Sequence, residues 1–328
     1  MGGESAGRRR AQWLAWWPRS AGGWLIVLPL IILAFLTAIR WFGLETGPLA
    51  LLISFTPYVA ALSVLVLLLA LMSRSIVMTA IALACVVLQA AWLVPAFAGA
   101  SVGDGPTLTV MTSNMKRGSA DTDAITNQVR THHVDLLGVE ELTDEAVARL
   151  HASGVTAELP YRSTDPRGDF GGNGLWSRYP ITKRRVAEMN DLRLVISQVA
   201  VDGQQLTVVV AHPRSPDLQN HTGWDRDHIA MRKELRGIQG PMIVAGDLNA
   251  TLDHRAMRNL QADGFVDAAE QSGAGVTATF PVGHDSPFPL FAIDHVLTRN
   301  TRLVAIDVQT VEIPQTDHRA LIATYRIT

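Results

Sequence analysis

The sequence predicts an α/β chain in two parts, three transmembrane helices followed by a two-sheet α/β sandwich. Three observations carry this. Three long N-terminal stretches, Ser20–Ile39, Thr46–Ser73 and Ser75–Gly103, hold no charge. From Thr107 onward, short apolar strand patterns alternate with amphipathic helix patterns. The charge divides at the same place. Residues 1–100 hold six basic and two acidic side chains, whereas 101–328 hold the other 22 basic and 28 acidic ones, a net of −6.

Each uncharged stretch meets the ~20 residues needed to cross about 30 Å of hydrocarbon. The expected organisation is a membrane anchor at 1–100, with spans at about 21–40, 49–72 and 76–97. A linker at 101–106 and a second, α/β domain at 107–328 follow. The first span follows Arg8, Arg9 and Arg10 as a signal peptide would, but no clean cleavage site follows it and two further spans do. Arg8, Arg9, Arg10, Arg19 and Arg74 outweigh Arg40, which Glu45 offsets. The positive-inside bias therefore puts residue 1 and the 73–75 turn in the cytoplasm and everything after about residue 100 outside it. Trp13, Trp16, Trp17, Trp24, Trp41 and Trp92 suit the two interfaces. Arg40 at the end of the first span aside, no Asp, Glu, Lys, Arg or His lies within the spans, which argues for an anchor over a transport path. Pro57 predicts a kink, and Gln89 a helix–helix hydrogen bond.

In the second half, Thr107–Thr112 reads as a strand, Thr122–His132 as a helix, Asp135–Val139 as a buried strand and Asp144–His151 as a helix. Leu194–Val201 and Gln205–Ala211 flank Asp202-Gly203, a strong hairpin signal. Asp225–Ile238 reads as a helix, and Met242–Ala245, Ala292–Leu297, Arg302–Val311 and Ala320–Ile327 as strands.

Several chemistries are excluded. The single Cys85 allows neither an internal disulfide nor a cysteine-rich metal site. Gly3-Glu4-Ser5-Ala6-Gly7 matches a nucleophile elbow but precedes a membrane span instead of joining strand to helix. Ser113-Asn114-Met115-Lys116 lacks the companion motifs of serine acyltransferases. Neither H-E-x-x-H nor a phosphate-binding glycine loop occurs.

What remains is a set of polar residues beside apolar runs. They are Asn114, Glu140-Glu141, His212, Gly246-Asp247-Leu248-Asn249, Asp294-His295 and Thr316-Asp317-His318-Arg319. A lone strand-end Asp or His is usually a turn or a cap, but in a sandwich six such clusters can meet on one rim. Together with Gly171–Pro180, their order resembles the endonuclease/exonuclease/phosphatase superfamily, with its deoxyribonuclease-I-like fold, across 107–328. With its three spans, the chain also resembles membrane-anchored actinobacterial members of the teicoplanin-resistance type.

The resemblance implies a divalent metal, Mg²⁺ with Mn²⁺ as a substitute, on Glu141 with help from Asn114 and Asp317. It implies that His318 contacts the scissile phosphate and Asp294 orients a catalytic histidine, either His318 or His212. Asp247 would position the attacking water, Asn249 would hold phosphate and His212 would serve the phosphate or leaving group. Asn173 and Arg117 are candidate substrate contacts, Asn173 being equally readable as a turn residue. Adjacent strand residues face opposite ways, so one of Glu140 and Glu141 should reach the metal; Glu140 stands where the family usually has Gln. His295 should face away, and His132, His133, His151, His221, His228, His254 and His284 read as solvated.

The expected function is hydrolysis of a phosphoester or pyrophosphate, with a lipid-linked substrate favoured, on the extracytoplasmic side. The expected partners are a phosphate-bearing lipid or other small phosphorylated substrate and the bilayer; no protein partner is inferable. An anchored nuclease is the alternative. It fits less well because nucleic acid needs a basic groove and this half is net −6.

Overall fold

A computed structural model describes residues 18, 21–189, 191–201, 203–216, 221–283 and 286–328. Arg8, Arg9, Arg10, Arg19, Trp13, Trp16, Trp17, the Gly3–Gly7 motif, Asp202 and His284 lie outside the described residues. The chain divides into two compact units, Met1–Pro95 and Ala96–Thr328.

The first unit is helical. Helices Ala21–Trp24 and Val27–Phe42 stand where one span is expected, and Pro48–Ile53 and Thr56–Met72 where the second is. Pro57 does not kink a helix. It sits in the first turn of Thr56–Met72, where its missing N–H costs nothing, so it starts a new helix. Helix Ile76–Leu93 continues through the 3-10 turn Val94–Phe97 to give 22 residues of mean hydropathy 2.3, long and apolar enough to cross a membrane. Val27–Phe42 and Thr56–Met72 are apolar but shorter. Ser75 caps the long helix by accepting from Met78 N. Gln89 donates to Thr37 at 3.1 Å, joining two helices through a buried polar pair.

Among the described residues, the second unit has twelve strands: β1 (Thr107–Asn114), β2 (Leu136–Glu140), β3 (Tyr161–Asp165), β4 (Asn173–Ser177), β5 (Ile181–Met189), β6 (Leu192–Val201), β7 (Gln204–Ala211), β8 (Met242–Asp247), β9 (Val266–Asp267), β10 (Asp294–Arg299), β11 (Leu303–Glu312) and β12 (Arg319–Ile327). They form two six-stranded sheets, ordered β11-β12-β1-β2-β4-β3 and β5-β6-β7-β8-β10-β9. The two-sheet α/β sandwich predicted from the sequence is present. Side-chain alternation builds its core. Leu108 and Val110 of β1 belong to the cluster between the sheets with Leu136, Val208 and Ile243. Met111 turns the other way, into a cluster with Ile125 of helix Thr122–Thr131 and Leu150 of helix Asp144–Ala152. Each such fully buried side chain stabilises the fold by roughly 1.5–3 kcal/mol relative to exposure.

Two parallel pairs place the site. β1 pairs with β2 and β7 with β8, so the C-terminal ends of all four strands lie at one rim. The antiparallel partners β10 and β12 begin there, with Asp294 opposite Asp247 in register.

Candidate active site

β1 ends at Asn114, which is in register with Glu140, the last residue of β2. Asn114 Nδ2 donates to Glu141 Oε1 at 3.1 Å and to Asp247 Oδ2 at 3.0 Å, tying the two sheets together. Asp247 ends β8. Its Oδ1 accepts from Asn249 N at 2.9 Å, and its Oδ2 lies 3.5 Å from His212 Nε2 and 3.6 Å from His318 Nε2. His318 Nδ1 and Asp294 Oδ2 are 2.8 Å apart. This assigns Asp294 to His318, settling a choice the sequence leaves between two histidines. His212 is held differently: its Nδ1 lies 3.0 Å from the Phe170 carbonyl, and its Nε2 lies 3.9 Å from Glu141 Oε1.

The backbone is bent to achieve this. Glu141, Asn249, Lys116 and Arg117 all have positive φ, between 46° and 53°, a conformation non-glycine residues adopt at a cost and which clusters at functional sites. At Gly246 the need for glycine is absolute: φ is 150° and a Cβ would stand 2.0 Å from the Ala211 carbonyl oxygen. The missing side chain lets β7 and β8 bring His212 and Asp247 together.

The charges are strongly coupled. Burial disfavours protonation of His318, but Asp294 and Asp247 outweigh it and raise its pKa to about 10. His212 is likewise desolvated, yet Asp247 and Glu141 raise it to about 9. Burial would raise Asp247, but the two imidazoliums hold it well below the usual carboxylate range. Glu140 goes the other way, to about 8, through burial first and the Asp294 charge second.

Asn114, Glu141, His212, Asp247, Asn249, Asp294 and His318 thus share one rim. Three candidates take other partners. Asp317 pairs with Lys116 Nζ at 3.4 Å. The Arg117 guanidinium lies 3.8 Å over the Phe170 ring, and it is the Arg117 backbone N that donates to Glu141 Oε2, at 2.8 Å. Asn173 is buried, its Nδ2 donating to Arg193 O at 2.9 Å, while its Oδ1 has no hydrogen-bond partner.

Two expectations from the sequence are corrected. Glu140 and Glu141 do not face opposite ways as strand neighbours would, because β2 stops at Glu140 and the positive φ of Glu141 turns it back toward the rim. Glu140 is itself buried there, accepting from Thr112 Oγ1 at 2.7 Å. His228 and His254 are not solvated but buried against Trp224, at ring separations of 4.8 and 5.3 Å. His295 does face away from the rim, as expected, buried between Asp267 Oδ2 and the Ala250 carbonyl, both at 2.9 Å. Phe170, whose carbonyl orients His212, carried no signal in the sequence.

The donor set suits a hard divalent cation. Carboxylate oxygens of Glu141 and Asp247 flank the Asn114 amide, and oxygen donors are what Mg²⁺ and Mn²⁺ select. Among the described residues, Asp247, Asp294 and His318 also form an acidic–histidine group with ligand atoms within 4.8 Å of one another.

The sequence profile of the endonuclease/exonuclease/phosphatase family matches residues 111–318, from β1 to His318. The chain belongs to that family. It is a hydrolase of phosphoester bonds, and enzymes of this family use divalent metals. Solved structures share the fold. D. rerio TDP2 complexed with a single-strand DNA product superposes with a TM-score of 0.57 at 15% identity, covering 67% of this chain and 99% of that one. A family protein from Bacteroides thetaiotaomicron gives 0.53 at 14% identity, covering 69% and 100%. One from Beutenbergia cavernae gives 0.54 at 18%, covering 67% and 72%. A search of curated proteins returned no match.

Proposed function

We propose that the protein is a membrane-anchored, Mg²⁺-dependent phosphohydrolase that cleaves a phosphoester or pyrophosphate of a lipid-linked substrate outside the cytoplasm, as a relative of the teicoplanin-resistance type would. The observation that carries this reading is the presence in one chain of the Asn114–Glu141–Asp247–His318 rim and an apolar helix long enough to cross a membrane.

Glu141, helped by Asn114 and Asp247, would hold the cation, which supplies Lewis-acid neutralisation of phosphate oxygens. The other steps belong to this chain's side chains. Asp247 accepts a proton from the attacking water and aims it at phosphorus. As the new P–O bond forms, the bond to the leaving oxygen breaks. Protonated His318, its Nδ1 held by Asp294, donates its Nε2–H to a phosphoryl oxygen, where charge grows. Protonated His212 supplies the proton to the leaving oxygen and is reprotonated by Asp247, whose Oδ2 lies 3.5 Å away and which thereby returns to its charged form. The Asn249 side chain donates to Pro213 O, which fixes its turn against the phosphate site.

The panel that tests this pairs full-length protein in detergent and Mg²⁺ with polyprenyl pyrophosphate, phospholipids, phosphoinositides, nucleotides and DNA. Turnover on a lipid phosphate is expected. Rapid hydrolysis of DNA with none on any lipid would replace the reading by an anchored nuclease. The D. rerio TDP2 complex with a DNA product is the specific observation favouring that second reading, although the net charge of −6 on residues 101–328 opposes it.

A further inference from the structure

Between helix Ala268–Ser272 and β10, a loop closes on itself where Phe280 and Phe291 form an antiparallel bridge. Phe280 N donates to Phe291 O at 3.1 Å, and Leu290 N and Phe291 N donate back to Phe280 O at 2.8 and 2.7 Å. The base of this loop is fastened to the segment carrying His318. Val282 N donates to Asp317 O at 2.9 Å, and Arg319 N donates to Thr279 O at 2.8 Å. The Phe280 ring is half-buried, with its centroid 4.8 Å from that of His318.

The composition of the loop is unusual for a surface. From Thr279 to Ile293 the sequence has a single formal charge, Asp285. Phe288 is 62% exposed, between Pro287 and Pro289. Ser286 is spent internally, its Oγ donating to Phe288 O, and Thr279 Oγ1 donates to Phe291 O at 3.4 Å. The described residues of the loop therefore present a ring and aliphatic groups, with both hydroxyls turned inward.

We propose that this loop is the subsite for the apolar chain of a phosphorylated substrate. Phe280 flanks the first carbons beyond the phosphate at His318, and Phe288 lies along the chain further out. This rests on the lipid-phosphate reading and adds where the lipid goes. The occupant follows from continuity and chemistry. The wall begins at the histidine assigned to phosphate. Among its described residues it offers no free side-chain hydroxyl to read a base edge or a sugar, whereas an alkyl or isoprenoid chain needs none. Pro281, Pro287 and Pro289 fix φ, so little conformational freedom is lost when the chain binds.

The test uses the full-length protein with Mg²⁺, butyl and hexadecyl phosphate esters of the same headgroup, and the variants Phe288→Ser and Phe288→Leu. The ratio of kcat/KM for hexadecyl over butyl should fall by about tenfold or more in Phe288→Ser, through KM, since every methylene left facing water instead of the ring weakens binding. Phe288→Leu should restore most of it. The hexadecyl ester is presented in mixed micelles and in vesicles. A loss confined to vesicles would show that Phe288 meets the bilayer and not the substrate chain, overturning the proposal. An unchanged ratio, in a wild-type enzyme that does cleave the hexadecyl ester, would overturn it too. A wild-type enzyme that cleaves only DNA would instead sink the lipid-phosphate reading beneath it.

Discussion

Glu140 is fully buried, and its second carboxylate oxygen has no hydrogen-bond partner. Its pKa moves from 4.5 to about 8, so between those values the folded protein keeps a proton the unfolded chain has lost. Stability from this group is therefore complete below pH 4.5 and falls as pH rises toward 8, costing about 3 kcal/mol by pH 7. Glu140→Gln keeps an oxygen for Thr112 and removes the titration. With chelator present, its Tm should exceed wild type at pH 7.5, and the gain should shrink toward pH 5. A gain independent of pH would mean that burial of this carboxyl is not the cause. Glu141→Gln should act on function instead: calorimetric Mg²⁺ affinity and turnover should both drop about a hundredfold, with Tm in chelator little changed. At the other end of the rim, His318 and Asp294 should behave as one unit. Asp294→Asn and His318→Ala should be strongly non-additive in a double-mutant cycle of kcat, whereas Asp294→Asn with His212→Ala should be near additive. The reverse pattern would contradict the 2.8 Å pairing.

At the scale of elements, helix His221–Gly237 makes a claim of its own. His228 is buried on it, edge-on to Trp224, and burial first, then the neighbouring His254, lower its pKa to about 3. Here the unfolded state binds the proton. The contribution is present above the ordinary value of 6.5 and is lost as pH falls toward 3, at about 1.4 kcal/mol per pH unit. His228→Phe should flatten the fall in Tm between pH 6.5 and 4.5, and an unaltered slope would show that His228 is not the group responsible. No periodicity signalled this residue, because a buried neutral histidine and an exposed one look alike in sequence. The same limit explains the missed strands. β5 contains Lys183, Arg184 and Arg185 and is mostly exposed; edge strands carry such charge to block further pairing, and it hides their strand pattern. β2 and β8 were legible because they are apolar runs buried on both faces, and β1 because Thr alternates with Leu and Val along it. The polar residues that end them were legible for the same reason, each interrupting an apolar run at the rim. Partnerships across the rim, such as Arg117 on Phe170 or Asp317 with Lys116, depend on loops whose turns no local pattern encodes.

For the whole molecule, the proposed function requires that the rim face the compartment where its substrate is exposed. The charge pattern commits to one. Arg8, Arg9, Arg10 and Arg19 precede the first apolar stretch, and Arg74 stands in the turn between helices Thr56–Met72 and Ile76–Leu93. Against them stands Arg40, which Glu45 offsets and whose guanidinium lies 3.9 Å over the Trp92 ring. A cation half-neutralised by an acid and seated on an indole is a weaker retention signal than a free one. If the chain crosses three times, as the proposed function requires, the positive-inside bias puts residues 101–328 outside the cytoplasm. A reporter fused after Thr328 that works only in an oxidising exterior should be active, and one that works only in the cytoplasm should be silent. Adding Lys residues to the 43–47 loop should erode that preference, since it balances the two sides. A cytoplasmic reporter active in the unmodified fusion would place the rim on the inner face, where the substrate would have to be a cytoplasmic-leaflet phosphate.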